Sequence, residues 1–576
     1  MIILGISGQD RDAAAALVRD GLVVAAIEEE KLSRVRHVGI SYAGGLPTRA
    51  IQHCLEAAGV GFEVVDYVAY YTEPRKLFAR NLAFRASRVL LAPGMASLEA
   101  FPYYLVDSLN SFRQRVRTSV MARERLSPQG RFVNLNHQMA HAGSAFYASG
   151  FERAAIITAG NVGDMRSTAL MTGAGSEIRL QQQASFPNSL GMVFSAVTAA
   201  LGFDSSGDDH RTMWLAPTGE NEFAELFRTI IKVDSNGLPR VNLDYFDKSF
   251  KGGPRLSDRF FKETGLAARS KDGTVTATHR NVAASLQLRI NDVLIEMADR
   301  HRRRTGEENL CLSGGVALNS LANAAIEGAS GFKRIFVQPA AGNAGCSLGA
   351  ALYTWHHLLG NKGRDYKMDD LYLGPRFGEG EIKSVLDNCK LQYEYYLTDH
   401  KLVDEVARLL ANGRIAGWFR GPMEFGPRAL GTRSILASPV SDVMGENLNS
   451  YIKHREDFRP FSASVPEECA AEFFEPSALT RFLQGVSRVL PEKRQLIPAA
   501  VFGDGIARVH TVSKKANPSF WRLLTRFGEI AGVPVLLNTS FNLFGEPVVS
   551  TPREAVRGFY CSGIDCLALE NFLIKK

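Results

Sequence analysis

The chain has 576 residues, 45% of them hydrophobic and 22% charged, and a formal net charge of +7. This length holds two or three domains of ordinary globular composition, and so modest a charge does not require nucleic acid as a partner. No window approaches ~18 consecutive apolar residues, and the opening MIILGISGQDRD lacks a basic region before a long apolar run, so neither a membrane span nor a signal peptide is expected and the cytoplasm is the expected compartment.

Ile2–Ile6, Ala13–Val18 and Leu22–Ile27 are apolar runs separated by GQDRD and RDG, which predicts a strand meander. Residues 47–58 carry Ile51, Cys54, Leu55 and Ala58 at helical spacing and stop at Gly59, a helix with a glycine end signal. His137 and His141 stand four apart in NHQMAHAGSAF, so a helix aims both imidazoles at one point. Spacing alone makes such a pair more often structural than metal-binding. Ala154–Ile157 reads as a buried strand and 281–302 as a long helix with Ala284, Leu286, Leu288, Ile290, Val293, Leu294 and Met297 inward.

Leu310–Leu312, then Gly314-Gly315, then a helix from about Val316 make a strand, glycine turn and helix N-terminus, a combination suited to phosphate. Ile335–Val337 followed by Gly342–Gly345 does the same, and two such turns on one sheet fit a nucleotide cleft. Residues 361–380 turn polar and glycine-rich and are taken as the connection between domains at 1–360 and 381–576. Beyond it 381–389 and 402–411 read as helices and 415–419 as a strand. No internal repeat of 20 to 50 residues is visible. The cysteines, at 54, 311, 346, 389, 469, 561 and 566, include no CxxC pair; a disulfide framework and a zinc knuckle are not indicated, and most read as packed thiols.

The stretch 421–461 sets Arg428, Arg433, Lys453, His454, Arg455 and Arg459 among glycines, prolines and aromatics. Guanidinium forks suit phosphate or carboxylate, and Gly421, Gly426 and Gly431 let backbone N–H groups approach the same anion. A run of this kind is ordinarily a solvated basic face. The Phe-Gly-Pro-Arg and Phe-Arg-Pro-Phe settings at 425–428 and 458–461 favour an anion pocket instead. Downstream, VLLNTSFNLFGEPVV at 535–549 leads an apolar strand into Asn538, Thr539, Ser540 and Asn542, and sites gather at strand ends.

These two segments, with GISGQDRDAAAALV at 5–18, EEEKLSR at 28–34, NHQMAHAGSAFYAS at 136–149, MWLAPTGE at 213–220, LSGGVALNSLANAAI at 312–326 and VQPAAGNAGCSLGAAL at 337–352, resemble the O-carbamoyltransferases of the NodU/CmcH/TobZ type. The resemblance implies an α/β architecture, with an actin/hexokinase-like (Kae1-like) first domain and a YrdC-like second. It also implies that carbamoyl phosphate and ATP give carbamoyladenylate in the second domain, and that the carbamoyl group then passes to an acceptor hydroxyl in the first.

On this reading Arg428, Lys453, Arg455, Arg459, Arg508, Asn538 and Ser540 hold carbamoyl phosphate, with Arg428 and Arg459 also catalytic. Gly314, Gly315, Asn319 and Asn343 face ATP or the adenylate, and Asp12 or His137 is the general base. ATP brings Mg2+, and Fe2+ or another divalent metal is expected on His137 and His141, with Asn343 an optional ligand. The partner is a small-molecule acceptor, a sugar or other natural product such as an antibiotic scaffold, held by variable loops at 71–112 and 238–269. A homodimer and a hetero-oligomer both stay open.

Several positions depart from the family pattern. Gly160 and Asn343 stand where ligand aspartates are expected, Arg11 replaces the His of a His-Asp pair, Arg211 replaces a Lys and Trp214 a Gly. Their clustering in the first domain leaves a second outcome open, in which carbamoyladenylate is made but goes to N-carbamoylation, another condensation or a partner subunit. A pseudoenzyme partner is the remaining alternative.

Overall fold

The computed structural model describes residues 1–91, 95–126, 130–205, 207–247, 254–267, 269–270 and 273–576. They form two compact units, the first of residues 1–29 and 37–368, the second of residues 30–36 and 369–576.

In the first unit β1 (Ile2–Ser7), β2 (Ala14–Arg19) and β3 (Leu22–Glu28) form the expected antiparallel meander, and β4 (Tyr67–Tyr70) and β5 (Arg131–Asn134) extend it in parallel, in the order β3-β2-β1-β4-β5. A second sheet joins antiparallel β6 (Arg153–Gly163), β7 (Arg166–Ala174) and β8 (Glu177–Ser185) to parallel β9 (Asn309–Ser313) and β10 (Arg334–Val337), in the order β10-β9-β6-β7-β8. Numbered within each sheet, both orders are 3-2-1-4-5. The unit is thus a duplicated topology, the actin/hexokinase-like α/β fold. A search for short sequence repeats misses it, because strand direction and burial recur while residues and insertions do not.

Helix α1 (Thr48–Ala58) ends on Gly59 at φ 64°, as expected. The stretch 71–112 is not a loop; it belongs largely to helices α2 (Pro74–Leu91) and α3 (Met95–Leu126). Within 238–269 lie the strand Pro239–Val241 and the helix Asp258–Thr264, while 248–253 and 268 fall outside the described residues.

Helix α4 (His137–Phe146) starts at Asn136, whose side chain accepts from the N–H groups of Gln138 and Met139, a cap that satisfies otherwise unpaired donors. Helix α5 (Ala277–Thr305) buries Ala284, Leu286, Ile290, Val293, Leu294 and Met297. Leu288 is 44% exposed instead, because two residues from Leu286 carry the side chain to the opposite helix face. The helix expected from Val316 begins later, as α6 (Ser320–Ala329), because Asn319 is its N-cap.

Helix α7 (Gly345–Tyr353) packs on α4 with backbones in direct contact. A Cβ at Gly349 would lie 1.8 Å from the Ala140 carbonyl oxygen, so only glycine permits this approach. Cys54, Cys311, Cys346 and Cys566 are buried, Cys389 and Cys561 exposed and Cys469 half-buried. Among the described residues no helix is long and apolar enough to cross a membrane.

The second unit places α8 (Glu379–Asn388) and α9 (Asp399–Ala411) with a nine-stranded mixed sheet. Its strands are β11 (Glu394–Tyr395), β12 (Ala416–Phe419), β13 (Arg433–Ala437), β14 (Ser462–Pro466), β15 (Ser487–Arg488), β16 (Ile506–Val512), β17 (Leu536–Ser540), β18 (Cys566–Leu569) and β19 (Phe572–Lys575), in the order β11-β19-β18-β12-β13-β17-β14-β16-β15. Helix α10 (Pro518–Ala531) packs on α9, and Trp418, Phe419, Phe520, Phe527 and Phe541 are fully buried in the core. The register pairs Ser462 with both Arg508 and Asn538, so the three side chains share one rung and one face.

Candidate active site

The second unit gathers the basic residues of three separate stretches. Burial and the nearby guanidiniums of Arg428, Arg455 and Arg459 push Arg508 well below the usual arginine range. Burial, with Arg459 alongside, does the same to Arg455, and burial alone lowers Arg428 to about 10. Lys453 is pushed well below its ordinary value by burial and by Arg455 and Arg459. Repelling cations held out of water are costly, and a bound oxyanion relieves both costs.

The loops that carry these cations are pinned from below. Glu424, 2% exposed, accepts at Oε1 from the N–H groups of Leu430 and Thr432, both at 2.8 Å, and of Arg433 at 3.2 Å. Buried Phe425, Phe458 and Phe461 anchor the two arginine turns, as the flanking motifs predict. Asn538 donates from Nδ2 to Ser464 Oγ at 3.0 Å and to the Ala429 carbonyl at 3.4 Å, tying the loop to β17. Its Oδ1 is buried with no hydrogen-bond partner among the described residues. Lys453 donates to the carbonyls of Ser540 at 2.9 Å and Asn542 at 2.8 Å and to Asn542 Oδ1 at 2.7 Å. Arg428, Lys453, Arg455, Arg459, Arg508, Asn538 and Ser540 therefore come together, with Lys453 bracing the 540–542 turn.

Other members of the basic stretch lie elsewhere. Arg433 is fully buried over the Phe419 ring, with its carbon 3.6 Å from the centroid, and donates to the carbonyls of Gly421, Thr432 and Pro375. It is a strut of the fold. His454 is exposed. The Gly421 N–H donates to the Glu570 carboxylate and the Gly431 N–H to Ser434 Oγ, so both are taken by side chains of the protein. Both glycines serve the turn, since a Cβ at Gly431 would meet the Phe520 ring at 2.1 Å.

Two residues remote in sequence complete this site. Lys31, 3% exposed, donates from Nζ to the carbonyls of Glu424 at 2.7 Å and Gly426 at 2.9 Å. Arg34 donates to the carbonyls of Val548 at 2.5 Å and Pro547 at 2.8 Å and pairs with Glu554 at 3.2 Å. Residues 30–36, which take in most of the EEEKLSR segment, thus belong to the second unit, a contact no local pattern announces.

In the first unit His137 and His141 lie on α4 as expected, with Nε2 atoms 3.1 Å apart. Sequence reasoning missed the third member: both nitrogens and Cys346 Sγ on α7 lie within 4.8 Å of one another. Only the close packing of the two helices brings the thiol there. Burial, with His141 and Arg115 nearby, holds His137 well below the usual imidazole range, and burial lowers His141 to about 4. Both rings are neutral at physiological pH, the form that ligates metal. Asp164 accepts from the His137 N–H at 3.1 Å, the Glu73 N–H at 3.3 Å and Thr72 Oγ1, and so orients the start of α4.

Gly314, at φ 95°, lets the turn after β9 close on β6, where a Cβ would lie 2.2 Å from the Ala159 carbonyl oxygen. Gly315 faces open space, and a Cβ at Gly160 would meet only the Gly315 nitrogen, at 3.7 Å. Asn319, in contrast, accepts from the Ala322 N–H and exchanges hydrogen bonds with Gln287, so its side chain is spent on the fold. Asn343 donates from Nδ2 to the Arg11 carbonyl at 3.4 Å. Asp12 bonds His37 Nδ1 at 2.7 Å and Arg11 Nε at 3.0 Å. Burial raises its pKa, but His37 and Arg11 outweigh that and the net shift is downward. Arg211 pairs with Asp208 at 3.3 Å and Trp214 is 2% exposed, so both departures are absorbed by packing.

A cluster of half-buried guanidiniums in one unit and, in the other, two glycine turns beside a pair of neutral imidazoles mark the chain as an enzyme. The chain belongs to the carbamoyltransferase family: residues 2–352 match the model described as carbamoyltransferase N-terminus and residues 407–576 the carbamoyltransferase C-terminus. It is 36% identical over 572 residues to the nodulation protein NolNO of Sinorhizobium fredii, covering 98% of this chain and 79% of that one. The nodulation protein NolO of Bradyrhizobium diazoefficiens is 37% identical over 77% of this chain and 79% of its own. An uncharacterized protein of Synechocystis, sll1178, is 37% identical over 100% of this chain and 96% of its own. Among solved structures, HypF of T. kodakarensis superposes on 63% of this chain and 48% of its own at 13% identity and a TM-score of 0.35, too loosely to bear on function.

Proposed function

We propose that this carbamoyltransferase works through carbamoyladenylate. In the second unit carbamoyl phosphate and water give carbamate and phosphate; a carbamate oxygen attacks the α-phosphorus of ATP, the bond to the β-phosphate breaks, and pyrophosphate leaves. Arg428, Arg455, Arg459 and Arg508 neutralise the charge that develops on the phosphoryl oxygens, an electrostatic role. The observation that carries this reading is Arg508, half-buried, with the guanidiniums of Arg428, Arg455 and Arg459 close enough to disfavour its charge.

In the first unit an acceptor hydroxyl oxygen attacks the carbamoyl carbon and AMP leaves, its adenylate lying along the Gly314-Gly315 turn beside Asn343. The hydroxyl proton passes to Asp12 or His137. Mg2+ accompanies ATP, and a divalent cation on His137 and His141 would polarise the reacting oxygens. The acceptor is a small molecule bearing a hydroxyl group, and the cytoplasm is the proposed compartment. The absence of a carboxylate at Gly160 and Asn343 favours a second reading, in which the adenylate goes to N-carbamoylation, another condensation or a partner subunit.

Purified full-length protein with carbamoyl phosphate, ATP and labelled pyrophosphate should exchange label into ATP. Complete absence of exchange, with phosphate release also absent, overturns the activation step.

A further inference from the structure

We propose that the first unit binds a borderline-soft dication, of the zinc or cobalt class, on His137, His141 and the thiolate of Cys346. The cysteine stands in for the carboxylates missing at residues 160 and 343. Zinc–nitrogen bonds of about 2.0–2.1 Å in a tetrahedral site put two ring nitrogens about 3.4 Å apart; the Nε2 atoms lie 3.1 Å apart here. Without an ion one ring must carry a proton toward the other. With one, both lone pairs are used.

The surroundings hold these donors in place. His141 Nδ1 lies 3.3 Å from Ser313 Oγ, which turns its Nε2 toward the other two, the outer-shell arrangement that fixes a ligating imidazole. A Cβ at Gly163 would lie 2.2 Å from the His137 ring, so this glycine seats that ring. Cys346 is placed by the contact between α4 and α7, where Gly143 and Gly349 allow the backbones to meet. The thiol and one nitrogen of each imidazole lie within 4.8 Å of one another, a spread that a single ion between them can bridge.

Charge and softness choose the ion. Two neutral imidazoles and one thiolate supply a single negative charge, and nothing at Gly160 adds another. Thiolate and imidazole donors favour zinc or cobalt over magnesium, calcium or manganese. Three protein donors leave a fourth position for water or a substrate oxygen.

The test is a Co2+ titration of the full-length, metal-free protein followed by absorption. The expected result is one equivalent bound with a sulfur-to-cobalt charge-transfer band in the near ultraviolet, and loss of that band with an affinity at least tenfold weaker in Cys346→Ser. Cobalt bound without the band, equal affinity in Cys346→Ser, or no binding at all overturns the proposal. The band in the unaltered chain decides the matter even if the variant is unstable. The proposal rests on the first unit alone, and pyrophosphate exchange reads the second, so the two readings fail separately.

Discussion

The two units solve opposite electrostatic problems. In the second, four half-buried guanidiniums lie close enough to repel one another, and the carboxylate of Glu424 is spent on backbone N–H groups below them. In the first, two neutral imidazoles and a thiol share one point, with Gly160 and Asn343 contributing no charge. The half proposed to handle a dense anion is rich in cations. The half proposed to hold a cation presents imidazoles and a thiol, with no carboxylate at residues 160 and 343.

The largest effect should come from breaking the cationic side of that contrast. Arg459→Ala is expected to reduce pyrophosphate exchange by about 10²–10³, the usual cost of removing a positioned donor from a transition state, with an unchanged melting temperature. Arg433→Ala should behave oppositely. Removing a buried side chain that serves three carbonyls costs about 3 kcal/mol or more of stability, visible as a lower urea midpoint. If Arg433→Ala is stable and only exchange is lost, Arg433 belongs to the anion site and its assignment as a strut is wrong.

Next comes Lys31, whose ammonium holds the Glu424 and Gly426 carbonyls. Lys31→Met keeps the stem and loses the two bonds, so the 424–428 loop should loosen. The expected outcome is a KM for carbamoyl phosphate about tenfold higher, corresponding to ~1.4 kcal/mol, with kcat changed less. An unchanged KM would mean that the loop holds its geometry without the Lys31 ammonium.

Acid should weaken both units through buried neutral imidazoles. Burial lowers His510 to about 3 and His141 to about 4, against 6.5 for an ordinary histidine. Below pH 6.5 the unfolded chain takes up protons that the native state refuses, so stability is full above 6.5 and falls as pH drops toward those values. Each group accounts for roughly 2 kcal/mol between pH 7 and pH 5. Urea unfolding at the two pH values should show the loss, reduced by one histidine's share in His510→Asn. An equal loss in that variant would show that His510 is not the titrating group.

Local chemistry was legible in the sequence and distant encounters were not. The glycine turns at 314–315, the two histidines on one helix face and the phenylalanine-anchored arginines follow from spacing and flanking residues, and each stands where expected. The Lys31 contact spans a separation of 393 residues, and Cys346 reaches His137 only because two helices meet at glycines; neither leaves a local pattern. Arg433 misleads for a different reason: a guanidinium aimed at carbonyls reads the same in sequence as one aimed at phosphate. The duplicated sheet was hidden because topology constrains strand order and burial, which many residues satisfy.

The smallest change offers the sharpest comparison. Gly160 has no positive φ, and a Cβ there would meet only the Gly315 nitrogen at an ordinary 3.7 Å, so Gly160→Asp should fold with stability changed by less than about 1 kcal/mol. The aspartate would return a carboxylate to the position where the family pattern has one. If that position faces the proposed ion, Co2+ affinity should rise by about tenfold, ~1.4 kcal/mol, while the charge-transfer band persists because Cys346 stays bound. Should affinity stay the same in a stably folded Gly160→Asp, residue 160 does not look onto the ion. The loss of its carboxylate would then be drift, and the electrostatic contrast between the two units would rest on Asn343 and Cys346 alone.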